Sequence, residues 1–305
     1  MKVGYIGLGI MGGAIVRRLA LSRPVAVFDL NPALVAQQVA AGAVAASGAQ
    51  DLAASCDVIM LCVPRSENVS QILFGEGGIA EMLKPGQIVI DQTSGDPNVT
   101  RALAVRLAER DVVMLDAPVS GGAAGAAQGT LAIMVGGPRD TYDAVTPIFE
   151  DISPNHTHCG DIGAGQVLKL LNNTMSTCNR IAMLEALAVG VKNGLTLDVM
   201  NRVLNAGGAR SAPTERLLPR MVEGGFEATF ALALMLKDLN LATSLAVASG
   251  APFQSGQLAR GLLQTASNHF GPDANLDDII ELIADQAGTS FGQTWSARSH
   301  SQERT

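Results

Sequence analysis

The chain is poor in charge, aromatic rings and cysteine. Charged residues make up 16% of its 305 residues, below the roughly 25% typical of soluble domains. So few charges on so long a chain predict that part of the surface is buried again in an oligomer. Aromatics supply only 4%, with one Trp and two Tyr, which favours close helix packing over a β-sandwich. The formal net charge is −7, and no basic block interrupts it. That argues against nucleic acid and anionic membrane as partners. The four cysteines, Cys56, Cys62, Cys159 and Cys178, form no C-x-x-C pair. Reduced thiols in a cytoplasm are the simple reading. His156 and His158 are one residue apart, but spacing suggests no third ligand, so no metal is expected. The N-terminus enters a strand-like run directly, which predicts no signal peptide. No apolar run is expected to reach the roughly 18 residues that span a bilayer.

What is present is apolar and glycine-punctuated. Hydrophobic residues reach 48%, and there are 33 glycines. The length suggests about two domains. The segment Lys2–Gly13 is the most informative. A short apolar run ends at Ile6, and Gly7, Gly9 and Gly12 follow in the spacing G-x-G-x-x-G. A helix-compatible stretch leads to a second apolar run, Val25–Phe28, closed by Asp29. Strand, glycine turn, helix, strand and acid in this order make a dinucleotide-binding βαβ unit. Gly7 permits a tight turn, Gly9 lets the backbone approach a pyrophosphate, and Gly12 lets the helix lie close to the strand. The helix N-terminus then offers N–H groups and partial positive charge to the phosphates. Leu8, Ile10 and Met11 complete the loop. A carboxylate at Asp29 can accept hydrogen bonds from both ribose hydroxyls of NAD and would repel a 2′-phosphate. Leu30, Asn31 and Pro32 follow it, with no Arg. Arg17 and Arg18 read as solvated, so NAD is expected over NADP.

The first half alternates. Strand-like runs at 3–6, 25–28, 58–63, 88–90, 112–115 and 131–135 are separated by helical stretches at 32–41, 68–73, 97–110 and 139–149. This predicts an α/β, doubly wound parallel sheet of the Rossmann kind over 1–162. The character changes near Asp161. Residues 166–193 read as one long helix with apolar residues all round, the pattern of a buried helix. Helical stretches follow at 197–205, 214–222, 230–249, 253–266 and 276–287. An all-α domain over 163–295, reached through this long interdomain helix, is expected. The polar tail 296–305 reads as disordered, with Phe291 and Trp295 as pins before it.

Four segments resemble one family. They are Gly7–Gly12, Asp116-Ala-Pro-Val-Ser-Gly-Gly122 with Gly129-Thr-Leu131, Gly163-Ala-Gly-Gln-Val-Leu-Lys169 with Asn172-Asn173, and Lys237-Asp-Leu239. In this order they resemble the β-hydroxyacid dehydrogenase family, which includes 3-hydroxyisobutyrate dehydrogenase and tartronate semialdehyde reductase. The resemblance covers nearly the whole chain. It implies NAD(P)-dependent interconversion of a small β-hydroxy carboxylic acid and its oxo acid or semialdehyde, and a helical domain that mediates oligomerisation. A homodimer or homotetramer is expected. By position it also implies cofactor contacts at Val63, Pro64, Asn68, Ser94 and Lys237.

The residues carry a chemistry of their own. Ser120, Gly121 and Gly122 supply a hydroxyl and backbone N–H groups on a glycine-permitted turn, a concavity suited to a carboxylate. Lys169 sits among Val167, Leu168, Leu170 and Leu171. A lone lysine there would snorkel to solvent. Facing a closed cleft, it would instead lose its proton more readily and serve as the base that takes the hydroxyl proton. Asn172 and Asn173, three and four residues on, share its helical face. Asn173 is favoured and Asn172 held in reserve; either amide could hold the substrate hydroxyl or orient the lysine. Gly95 departs from the Ile or Val often found there in the family. The stretch Asn205–Ser211 lacks the Trp associated with 3-hydroxyisobutyrate dehydrogenase, which weakens the case for a methyl-bearing substrate. Arg210 stands open between a second substrate contact and a solvated residue. The alternatives are an imine reductase on the same scaffold, in which the catalytic lysine is usually lacking, and a non-catalytic binding relative.

Overall fold

The structure is a computed structural model that describes residues 1–224 and 230–292. Trp295 and the tail 296–305 lie outside the described residues. The chain divides into two compact units, Met1–Leu170 and a second that begins at Leu171.

The first unit holds one sheet. Its strands are β1 (Val3–Ile6), β2 (Val25–Phe28), β3 (Val44–Ala45), β4 (Val58–Leu61), β5 (Ile88–Asp91), β6 (Val113–Asp116), β7 (Val119–Ser120), β8 (Ala132–Gly136) and β9 (His156–Gly160). The order is β3-β2-β1-β4-β5-β6-β8-β7, with β9 beside β8. From β3 to β6 all pairings are parallel. The connecting helices are α1 (Ile10–Leu19), α2 (Pro32–Ala40), α3 (Ala49–Ser55), α4 (Ser66–Phe74), α5 (Pro97–Ala108), α6 (Gly122–Gln128) and α7 (Arg139–Ile152). Two of them start as their sequences dictate. Pro32 and Pro97 occupy first-turn positions, and the Asn31 and Asp96 side chains accept from Ala33 N–H and Asn98 N–H.

The strand period of two divides the core. Val58 and Met60 of β4 join a cluster with Ile15 and Leu19 of α1 and Phe149 of α7. Ile59 and Leu61 join another with Leu52 of α3, Val69 of α4 and Leu103 of α5. Helices therefore cover both faces, which is why β1, β4 and β5 are buried at every position. Full burial of each such aliphatic side chain contributes about 1.5–3 kcal/mol.

The sheet is not parallel throughout: β8 runs antiparallel to β6 and β7. The connection from β6 to β8 carries only the two-residue β7 and the short α6, too little for the usual crossover helix. The elements not expected from sequence are β3, α3, β7, α6 and β9. The strands β3 and β7 are two residues long, α6 is Gly/Ala-rich, and β9 reads His-Thr-His-Cys-Gly with no apolar alternation.

A long helix, α8 (Ala164–Lys192), crosses the division between the units. It is not buried all round as its composition suggested. Leu168, Leu171, Met175 and Val189 are exposed. The described residues continue with α9 (Leu197–Ala206), α10 (Ala212–Glu223), α11 (Leu232–Ser249), α12 (Gln254–Phe270), a short 3₁₀ turn and α13 (Ile279–Gln286). Their core gathers Leu184, Leu187, Leu218, Leu239, Leu263 and Ile279, with Phe291 packed against it. The expectation about apolar runs needs correction. The helix α11 is 18 residues long with a mean hydropathy of 1.3, enough to cross a membrane by length and composition. Leu232, Met235, Leu236, Leu239, Ala242 and Ala246 are buried in the protein, and Lys237 and Asp238 sit mid-helix. Its buried face joins the core of the second unit.

Candidate active site

The parallel strands point their carboxyl ends to one edge of the sheet, and the sequence-predicted cofactor residues of the first unit follow those ends. Gly7 to Gly12 follow β1, Asp29 follows β2, Val63 and Pro64 follow β4, and Ser94 follows β5. The strand order reverses between β1 and β4, the position where open α/β sheets place their ligand crevice. Hydrogen bonds tie the loops together. Gly7 N–H donates to Phe28 O at 3.1 Å, and Val63 N–H donates to Thr93 Oγ1 at 3.2 Å. Asn68 is exposed on α4.

The three glycines of the first loop differ in what demands them. At Gly12 an added Cβ would lie 1.9 Å from Gly7 O, and at Gly7 one would lie 2.2 Å from Cys62 O, with φ at +96°. The fold itself therefore requires both. At Gly9 an added Cβ meets nothing within 4 Å. No described residue explains that glycine, whereas a pyrophosphate laid on the N-terminus of α1 does. Gly9 is the N-cap, with no side-chain cap, and the first turn of α1 carries no acid. These residues fit a dinucleotide.

Asp29 is held in place by backbone. Its Oδ2 accepts from Leu8 N–H at 2.7 Å, and its Oδ1 accepts from Asn31 N–H at 2.8 Å. Each oxygen retains acceptor capacity for a ribose hydroxyl. Leu30 beside it is exposed. Arg17 is exposed, as read from sequence; Arg18 is only half-exposed, with its guanidinium against Gly129.

Ser120 ends β7, and Gly121 and Gly122 follow with φ of +135° and +69°. Two successive positive φ values are open to glycine at little cost.

Lys169 does not snorkel. It is 7% exposed, and the start of its helix is anchored to the sheet. Asp116, at the end of β6, is fully buried and accepts from Gly163 N–H at 2.6 Å and Gln166 N–H at 2.7 Å. Burial pushes its carboxyl up from the ordinary value, against the pull of those two bonds. The buried Gln166 carboxamide donates to Thr93 O at 2.6 Å and accepts from Gly95 N–H at 2.9 Å.

In the second unit the two asparagines are engaged. Asn172 Nδ2 donates to Asn173 Oδ1 at 3.2 Å. Asn173 is 5% exposed, and its Nδ2 donates to Asp238 Oδ2 at 2.6 Å. Lys237 Nζ lies 3.0 Å from Asp238 Oδ1, and both side chains are largely buried. The favoured Asn173 is thus in a polar cluster with Lys237, joined by Asp238. Arg210 is outside it, in an exposed ion pair with Glu215 at 2.6 Å. Three residues received no role from sequence: Asp116, Gln166 and Asp238. All lie inside the quoted motifs. The available signal was polarity in apolar surroundings, above all an acid beside a lysine in the middle of α11. His156 and His158, the candidate metal pair, bond instead to Tyr142 OH and Gly137 O, each at 2.8 Å.

Known proteins resemble this chain in sequence and fold. Residues 2–160 match the family model of the NAD binding domain of 6-phosphogluconate dehydrogenase. Residues 163–283 match the NAD-binding region of NADP-dependent 3-hydroxyisobutyrate dehydrogenase. The 2-(hydroxymethyl)glutarate dehydrogenase of Eubacterium barkeri is 35% identical, over 87% of this chain and 88% of its own. The NAD-dependent L-serine dehydrogenase of Pseudomonas aeruginosa is 36% identical, over 86% of this chain and 90% of its own. The solved 3-hydroxyisobutyrate dehydrogenase of Salmonella typhimurium has a TM-score of 0.83 at 29% identity, covering 92% of this chain and 99% of that one. Solved imine reductases, such as that of Bacillus cereus at 20% identity and a TM-score of 0.61, share the fold alone. The chain belongs to the β-hydroxyacid dehydrogenase family, NAD(P)-dependent oxidoreductases that act on CH–OH groups.

Proposed function

We propose that Lys169 is the general base and acid of a reversible oxidation at the hydroxyl carbon β to a carboxylate, with NAD preferred over NADP. The observation that carries this reading is the burial of Lys169 at 7% exposure on a helix whose first turn is bonded to the carboxyl edge of the sheet. A bound nicotinamide supplies the hydride acceptor for oxidation and the donor for reduction. The chain supplies the rest. Lys169 Nζ takes the hydroxyl proton and returns it in the reverse direction. Asn173, one turn on, orients the lysine or the substrate hydroxyl, with Asn172 behind it. Ser120 and the Gly121 and Gly122 N–H groups receive the carboxylate. Asp29 accepts from the ribose, and Val63, Pro64, Asn68, Ser94 and Lys237 complete the cofactor contacts.

The relatives point to small acids. One acts on 2-(hydroxymethyl)glutarate and another on L-serine by their names, both of which carry a primary alcohol β to a carboxylate. The exposed ion pair with Glu215 gives Arg210 a partner within the chain. Exposed Leu168, Leu171, Met175 and Val189 on α8 support a homodimer or homotetramer. The test is a panel of β-hydroxy acids, aldonates and semialdehydes with each cofactor. The reading expects turnover with a β-hydroxy acid and NAD. An NADP preference of about tenfold, 1.4 kcal/mol, would sink the cofactor assignment. Imine reduction without alcohol oxidation would sink the reaction.

A further inference from the structure

The Gln166 side chain makes an arrangement that the proposed reaction does not yet use. It is completely buried. Its Nε2 donates to Thr93 O at 2.6 Å, and its Oε1 accepts from Gly95 N–H at 2.9 Å. The carboxamide therefore brackets one residue, Ser94, by bonding the peptide groups on both sides of it. Its own backbone is fixed as well, because Gln166 N–H donates to Asp116 Oδ2 at 2.7 Å. On the loop side, Thr93 is tied back by its N–H to Asp91 Oδ1 at 2.9 Å, and its Oγ1 accepts from Val63 N–H. Gly95 leaves no slack, since an added Cβ would lie 2.3 Å from Ser66 Oγ. The cross-link thus runs from a clamped helix turn to a clamped loop, all within the first unit.

A carboxamide suits this position, because it presents one donor and one acceptor side by side. A packing role alone would be met equally by Met or Leu. Leaving two buried peptide groups unpaired costs about 1–3 kcal/mol each, so the loop would shift to recover its bonds. Lys169 lies three residues beyond Gln166, on the next turn of the same helix.

We propose that Gln166 is a positioning residue, which sets the Ser94 loop at the nicotinamide in register with Lys169 so that hydride and proton leave one substrate carbon and its oxygen in a single geometry. This rests on the dehydrogenase reading above. Misplacement of reacting groups by about 1 Å can cost 10²-fold in rate, so the role belongs to turnover rather than to binding.

The test uses Gln166→Met, which keeps length and removes both bonds, beside the wild-type chain and Lys169→Ala. Four quantities are measured: NAD dissociation constant, kcat, the deuterium isotope effect with substrate labelled at the hydroxyl carbon, and amide exchange at Gly95. For Gln166→Met, kcat falls by at least about tenfold while NAD affinity stays within about threefold. The isotope effect rises, because hydride transfer becomes slower than the steps around it, and Gly95 loses protection. The pH limb that Lys169→Ala abolishes is kept. Unchanged kcat and isotope effect with Gly95 exposed would overturn the positioning role, and unchanged Gly95 protection would overturn the cross-link itself. If Gln166→Met does not fold, Gln166→Glu serves. It keeps size and the acceptor for Gly95 and, when ionised, lacks the donor to Thr93, so it is read by kcat and NAD affinity alone: kcat falls with NAD affinity kept, and unchanged kcat would overturn the positioning role. Failure of the underlying reading is distinct: Lys169→Ala then turns over like wild type, whatever Gln166→Met does.

Discussion

At the carboxyl edge of the sheet, the carboxylates of Asp29 and Asp116 are held by backbone. Asp29 accepts from Leu8 and Asn31 N–H groups, and Asp116 accepts from those of Gly163 and Gln166. In the helical unit, the buried Asp238 and Asp277 are paired with side chains. Asp238 is shared between Asn173 and Lys237, and Asp277 between Arg180 and Arg220. The difference follows from the elements. Strand ends and glycine turns leave N–H groups unpaired and aimed outward, whereas helix interiors have used theirs. A site built on backbone survives most side-chain changes and fails when a Cβ enters the wrong place. A site built on side chains fails when one member leaves the others buried without a counter-charge.

Asp238→Ala should break the side-chain half most severely. It strips the counter-charge from Lys237 and the acceptor from Asn173. Removing one partner of a buried pair costs roughly 3–5 kcal/mol. Denaturant titration should show a loss of this order, with Asp238→Asn milder because it keeps an acceptor. A loss under about 1 kcal/mol would mean that the cluster is wet and weakly coupled.

Two glycine variants sharpen the backbone half. Gly12→Ala drives a Cβ to 1.9 Å from Gly7 O, an overpacking that typically costs about 1–3 kcal/mol, and it weakens NAD binding by distorting the loop. Gly9→Ala meets nothing among the described residues, so its stability should change by no more than about 0.5 kcal/mol. It should still lose NAD affinity, because the new methyl occupies the pyrophosphate's place. Paired thermal melts and NAD titrations check this. Equal NAD affinity in Gly9→Ala and wild type would remove the argument that a ligand explains Gly9.

The same contrast explains what could be read from the sequence. The glycine spacing, the apolar runs and the closing acid translate directly into β1, α1, β2 and Asp29, because local backbone geometry demands those residue types. The long helix after Asp161 was equally plain from its lack of breakers. The hydrogen-bond partners were not. Gln166 meets Thr93 and Gly95, and Asn173 meets Asp238, across long stretches of sequence, and no local pattern encodes which amide faces which acid. The short β7 and α6 were hidden for another reason: two residues of strand and a run of Gly and Ala carry no period. Composition alone also made α8 look buried, although several of its apolar side chains are exposed.

The smallest effect belongs to Arg210. Its ion pair with Glu215 is 67% and 44% exposed, and pairs of this kind contribute about 0–1 kcal/mol. Arg210→Ala should leave stability and kcat/KM within experimental scatter. A selective rise in KM for a dicarboxylate substrate would show that Arg210 leaves Glu215 to bind it.

The most direct test of the account is turnover, NAD affinity and pH profile of Lys169→Ala on correctly folded protein. The account predicts a loss in kcat of about 10²–10⁴-fold, nearly unchanged NAD binding, and disappearance of the limb that reports a group which must be deprotonated for oxidation. Lys169→Arg should not rescue it, because a guanidinium stays protonated at the pH of the assay. Turnover above about a tenth of wild type, with the pH limb intact, would contradict the assignment of Lys169 as the base.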